Sequence, residues 1–142
     1  MDFENKETRM LFLKYAFTSM DKEHMIPEGY RNSVLDDIMN GEQIEEIEET
    51  LFQTGVINCL KLSKRKGKEK INEETIDKYF LGPHNRISDC KAYEGRVTKV
   101  NKKTARIEAN EGNRSYRTIL EPNLEIGDKT IVHGDYVIKV VK

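Results

Sequence analysis

Met10, Leu13 and Phe17 fall at i, i+3 and i+7, and Leu11, Phe12, Tyr15 and Ala16 widen the apolar face that this spacing puts on a helix. A second helix is predicted to start near Pro27, tolerated in a first turn because its missing N–H would be unpaired there anyway. Tyr30, Val34 and Ile38 line one side of it, and Asn40-Gly41 supplies a stop. A third helix is predicted with Ile44, Ile47 and Leu51 as its stripe, its wet faces carrying Glu42, Glu45, Glu46, Glu48 and Glu49, and Gly55 as its end. Val56 to Leu62 reads as a short helix. The last helix is better marked: Asn72 caps it, Ile71 can staple against Ile76, and Gly82-Pro83 closes it.

Past Asp89 the period shortens from 3.6 to 2. Ala105, Ile107 and Ala109 alternate with Thr104, Arg106 and Glu108. Turn residues recur between β-like runs at Asn101-Lys102-Lys103, Asn110 to Asn113, Glu121-Pro122-Asn123, Gly127-Asp128 and His133-Gly134-Asp135. Short strands at this spacing predict a small closed or nearly closed antiparallel barrel. The fold class is therefore α+β: a small α-helical domain over 1–82, a junction loop over 83–89, and a β-barrel domain over 90–142. A barrel of that size is near the lower limit for an independent core, so it should pack against the helices or a partner.

Charge changes the picture. The chain of 142 residues has 24 Lys+Arg against 25 Asp+Glu, yet residues 1–60 hold 5 of the basic and 13 of the acidic ones. The balance is thus -8 in front, +3 over 61–89 and +4 over 90–142. Lys61 to Lys70 concentrates six positive charges around Gly67, a pattern read as a solvated linker. The longest apolar runs fall far short of the ~20 residues that span a bilayer, and the acidic, polar start does not read as a secretory signal. Two cysteines, Cys59 and Cys90, cannot build a disulfide framework. Together these features predict a soluble cytoplasmic protein without membrane contact.

Candidate chemistry is sparse. No Gly-rich phosphate loop, G-x-S-x-G or H-E-x-x-H occurs, and the third-helix carboxylates fit a solvated face better than paired acid and base, so an enzyme is not expected. Cys90 sits near His84, Arg86 and Lys91, which would lower its pKa, with Asp89 opposing them. His133 lies at a predicted turn. The segment 82–90 collects His84, Asn85, Arg86 and Asp89 ahead of Cys90. It reads either as a hydrogen-bonded junction or as a source of an additional ligand, His84, for a mixed N/S site with Cys90 and His133. Cys59 reads as a buried core residue.

Residues 90–142 resemble the HypC/HupF family of nickel–iron hydrogenase assembly chaperones. The resemblance rests on Cys90-Lys-Ala-Tyr-Glu-Gly-Arg-Val97, similar to the family's opening cysteine and Gly-x-Val strand, then on Leu124-Glu-Ile-Gly-Asp128, and last on Thr130-Ile-Val-His-Gly-Asp-Tyr-Val-Ile138. Two positions depart from the pattern: 89 residues precede Cys90, and Tyr93 stands where the family has proline. The resemblance implies an OB-like barrel that contacts a maturation scaffold or metalloenzyme subunit. It also implies partner or iron binding through Cys90 and His133, whose thiolate and imidazole suit iron.

Two other readings compete. The basic back half could form a single-strand nucleic-acid patch from Arg96, Lys99, Lys102, Lys103, Arg106, Arg114 and Arg117, with Tyr93 or Tyr116 stacking on bases. Alternatively, the acidic helical domain is itself a non-catalytic interaction module.

Overall fold

The computed structural model describes residues 2–22, 26, 28–41, 53–87 and 90–142. The predicted third helix and the start of the second at Pro27 lie outside the described residues. Helix α1 spans Lys6–Lys22 and is opened by Asn5, whose Oδ1 accepts from the Thr8 N–H at 2.9 Å. Its burial is wider than one stripe: Leu11, Phe12, Leu13, Tyr15, Ala16 and Phe17 are all buried. A helix with so little wet face lies between two partners. Here it packs on α2 (Arg31–Asn40) on one side and on the sheet on the other.

The chain enters α2 through a 3-10 turn, Glu28–Tyr30. Tyr30, expected on the apolar side of this helix, instead ends that turn and stands 66% exposed, while Ile38 is fully buried. Gly41 closes α2 in the left-handed conformation, its N–H returning to Asp37 and Ile38 carbonyls.

Helix α3, Gln53–Arg65, corrects two expectations. Gly55 lies in its first turn rather than ending a helix, at a place where a Cβ would come 2.9 Å from the Phe12 ring. The first half of the basic run is the end of this helix, so only its remainder is an exposed turn. Helix α4, Glu73–Leu81, has the expected cap, Asn72 Oδ1 accepting from Thr75 N–H at 2.8 Å, and both Ile71 and Ile76 are fully buried. Pro83–Ile87, expected in a loop, form a short helix α5, with proline in its favoured first position.

Five strands follow: β1 Ala92–Val100, β2 Thr104–Ala109, β3 Gly112–Arg117, β4 Lys129–His133 and β5 Tyr136–Val140. Strand β1 pairs antiparallel with β2 through its second half and with β4 through its first. Strands β2 and β3, and β4 and β5, are antiparallel hairpins. The sheet is mixed, not wholly antiparallel, because β3 meets β5 in parallel at one pair, Arg117↔Tyr136. Gly95 is required where β1 crosses β2: a Cβ there would stand 2.5 Å from Ile107 Cγ2.

Two apolar clusters result. Val97, Ala105, Ile107, Tyr116, Leu124, Val132 and Val137 fill the concave side of the sheet. Ile131, Tyr136, Ile138 and Leu120 instead join the helical residues in the larger cluster. Strands β4 and β5 therefore bury both faces, one inside the sheet and one against α1.

Candidate functional site

The register Ala92↔His133 brings the residue two places ahead of β1, Cys90, to the β4–β5 turn. Gly134 makes this approach possible: it has φ +60°, and a Cβ on it would meet Cys90 Sγ at 3.1 Å. Its N–H bonds Lys91 O at 3.1 Å. His84 arrives from α5, which is pinned to the first residue of β1 by one side chain. Asn85 Oδ1 accepts from Ala92 N–H at 2.7 Å while its Nδ2 donates to Ala92 O at 2.8 Å. The three side chains singled out from the sequence thus converge from three elements.

All three lie beneath α1. Cys90 is 1% exposed and donates toward Thr18 O at 3.7 Å. His133 is fully buried, with Nδ1 at 2.5 Å from Thr18 Oγ1. The Thr18 hydroxyl also donates to Tyr15 O at 2.8 Å. A hydroxyl has one proton to give, so the network assigns the imidazole proton to His133 Nδ1 and leaves Nε2 as a bare acceptor. Among the described residues that Nε2 has no hydrogen-bond partner, and neither has His84 Nδ1. His84 Nε2 lies 3.4 Å from Ser19 Oγ.

The two imidazoles meet edge to face with centroids 5.1 Å apart. Phe80 packs against both, at 4.8 Å from His84 and 5.3 Å from His133, and Tyr15 approaches His133 at 5.6 Å. This apolar shell disfavours the charged imidazolium. Burial takes His133 down to about 3, with the neighbouring His84 pushing the same way and main-chain bonding at Tyr15 and Cys90 pushing back. Burial and the Lys91 charge take His84 down to about 4. Both rings are neutral at neutral pH.

This arrangement does not fit an iron ion. Among the described residues no three His, Cys, Asp or Glu side chains form a group able to hold a metal. The thiol faces Thr18 O and His133 Nδ1 is committed to the Thr18 hydroxyl, which leaves His133 Nε2 as the pair's one bare donor atom, short of a metal's ligand set.

The residues of the basic patch are dispersed in role. Arg96 donates to Gly127 O at 2.7 Å and Arg106 to Asn113 O at 3.3 Å. Arg114 lies over the Tyr116 ring at 4.6 Å and pairs with Asp135 at 2.8 Å. Arg117 donates to the Tyr136 hydroxyl at 3.3 Å. Lys99, Lys102 and Lys103 are exposed. Tyr116 is buried with Arg114 over its ring, and Tyr93 is half-buried against the same apolar cluster, so the patch has no fully exposed aromatic ring among the tyrosines singled out for stacking. Cys59 is fully buried, and burial pushes its thiol up to about 12.

Thr18, Ser19, Tyr15 and Phe80 were not singled out from the sequence, although they shape the site. A second polar cluster was also missed. Arg31 grips Asp21 at 2.6 Å and donates to the Tyr136 hydroxyl, which donates to Asp21 at 3.0 Å. Thr18 directly follows Phe17 and falls at i+7 from Leu11 and i+3 from Tyr15, and a polar residue in register with that apolar face is the signal that could have marked it. No helix among the described residues is long and apolar enough to cross a membrane. No protein-family model matches the chain, and no curated protein is found similar to it.

Proposed function

We propose that this chain is a non-catalytic accessory protein whose strands form an OB-like barrel of HypC type and which works by protein contact in metallocentre assembly. The observation that carries the reading is the meeting of Cys90 and His133, 43 positions apart, at the β4–β5 turn. The barrel reading is supported by the pairing pattern, in which every strand has two neighbours and the β3–β5 pair is the thinnest link. Because α1 covers the cysteine, contact through Cys90 needs a displacement of the Thr18 end of α1. Iron carriage is not part of the proposal, since the donor set does not fit the ion.

The test is an anaerobic pull-down of a hydrogenase-maturation scaffold by the wild-type chain and by Cys90→Ala. Capture that depends on Cys90 is the expected result. Equal capture by both proteins moves the contact away from Cys90, and capture by neither overturns the assembly role.

A further inference from the structure

Strand β1 turns into β2 through a hairpin with one sign of charge. From Arg96 to Ile107 the chain carries Arg96, Lys99, Lys102, Lys103 and Arg106 and no acidic residue. The segment 118–128 crosses the same end of the sheet. It is tied to the hairpin by Thr118 N–H to Lys103 O at 3.1 Å and to β1 by Gly127 N–H to Val97 O at 2.8 Å. Leu124 turns inward from this segment and plugs the concave cluster.

Alongside the exposed Asn123 and Glu125, three large aliphatic side chains remain outward. Ile126 is 71% exposed, Ile119 49% and Val100 39%, three of the five large hydrophobic residues exposed among the described ones. Exposed aliphatics scattered singly need no explanation, but here two strapped-together segments present three at one end. They stand beside Lys99, Lys102 and Lys103, which are exposed and form no ion pair among the described residues. The acids nearest to them in the chain are Glu94, paired with Lys129 at 3.4 Å, and Glu108; on the crossing segment an Asp128 carboxylate oxygen accepts the Glu125 N–H at 2.9 Å.

We propose that this end of the sheet is a docking surface for an acidic, apolar-faced segment of a protein partner. Uncompensated lysines select negative charge, and water is driven from isoleucine only by apolar side chains. A nucleic-acid strand would meet the same lysines but no aromatic platform, since Tyr116 is buried and Tyr93 half-buried. The inference goes beyond the assembly role and stands apart from Cys90, so a failed scaffold pull-down leaves it intact.

The experiment is an NMR titration of the full chain with a synthetic amphipathic peptide of about four helical turns, Glu on one face and Leu on the other. Amide shifts are expected at Val100, Ile119 and Ile126 and their neighbours, weakening as salt is raised. Ile126→Ser and the pair Lys102→Glu/Lys103→Glu should each weaken binding about tenfold. These substitutions are on the surface, and retained amide dispersion reports that the variants stay folded. Three results would overturn the proposal: no shifts at this end, equal binding by a peptide with Ser in place of Leu, or shifts as large with a thymidine homopolymer.

Discussion

The buried imidazole pair makes stability depend on pH in a window where few other groups titrate. In the unfolded chain His84 and His133 have ordinary pKa values near 6.5, whereas folding takes them to about 4 and about 3. Below pH 6.5 the unfolded chain therefore gains protons that the folded chain refuses. Stability is full above that point and falls as the pH drops toward the folded values. Between pH 7.5 and 5.0 linkage gives a loss of about 2 kcal/mol for His133, and about 1 kcal/mol for the less enclosed His84.

A combined loss of about 3 kcal/mol would lower the urea midpoint by about 1.5 M at a slope of about 2 kcal/mol/M. Urea unfolding at the two pH values, on wild type and on His84→Gln/His133→Asn, isolates the effect. The amides keep a donor near Ser19 and Thr18 but carry no titrating ring. Equal pH dependence in the two proteins would refute the reasoning. Should the double variant not fold, a wild-type NMR titration gives the same answer: a His133 ring signal that titrates near pH 6.5 sinks it.

Three further outcomes are expected. Cys90 and Cys59, 1% and 0% exposed, should react with a disulfide reagent only as fast as the chain opens, and burst labelling of either would show that the cover over it is absent. Gly95→Ala should cost about 2 kcal/mol or more in thermal or urea unfolding, because the added Cβ meets Ile107 Cγ2 at 2.5 Å and Glu108 O at 2.9 Å. An unchanged midpoint would mean that β1 and β2 separate easily. Asn72→Ala should remove about 1 kcal/mol through the lost cap on Thr75 N–H, with Asn72→Asp nearly neutral.

The elements that could be read from the sequence are those whose environment is simple. Asn72 and Gly41 announce helix ends through local chemistry, and each acts where expected. The alternation of Ala105, Arg106 and Ile107 was legible because β2 has one wet face. Thr130 to His133 carry no alternation, since β4 is buried on both faces, so their contact with α1 was not written in their period. Tyr30 fits a helical spacing yet stands in the entering turn, because periodicity places residues on a face but does not say where the first turn begins. Cys90, His133 and His84 were recognisable as residue types, and their meeting follows from strand register. Their enclosure was not recognisable, because Thr18 comes from a helix 72 positions before Cys90 and 115 before His133.

That last separation sets a schedule for synthesis. The Thr18–His133 contact joins positions 115 residues apart, and α1 needs β4 and β5 to cover its second apolar side. At about 5–20 residues per second the ribosome takes roughly 6–23 seconds to make the intervening chain. Once they leave the ribosome, Leu13, Phe17 and Tyr15 wait without the strands that enclose them. Helix α1 is thus made well before β4 and β5 yet is among the last elements to be finished, and until then the nascent chain presents an apolar face that holdase chaperones are suited to shield.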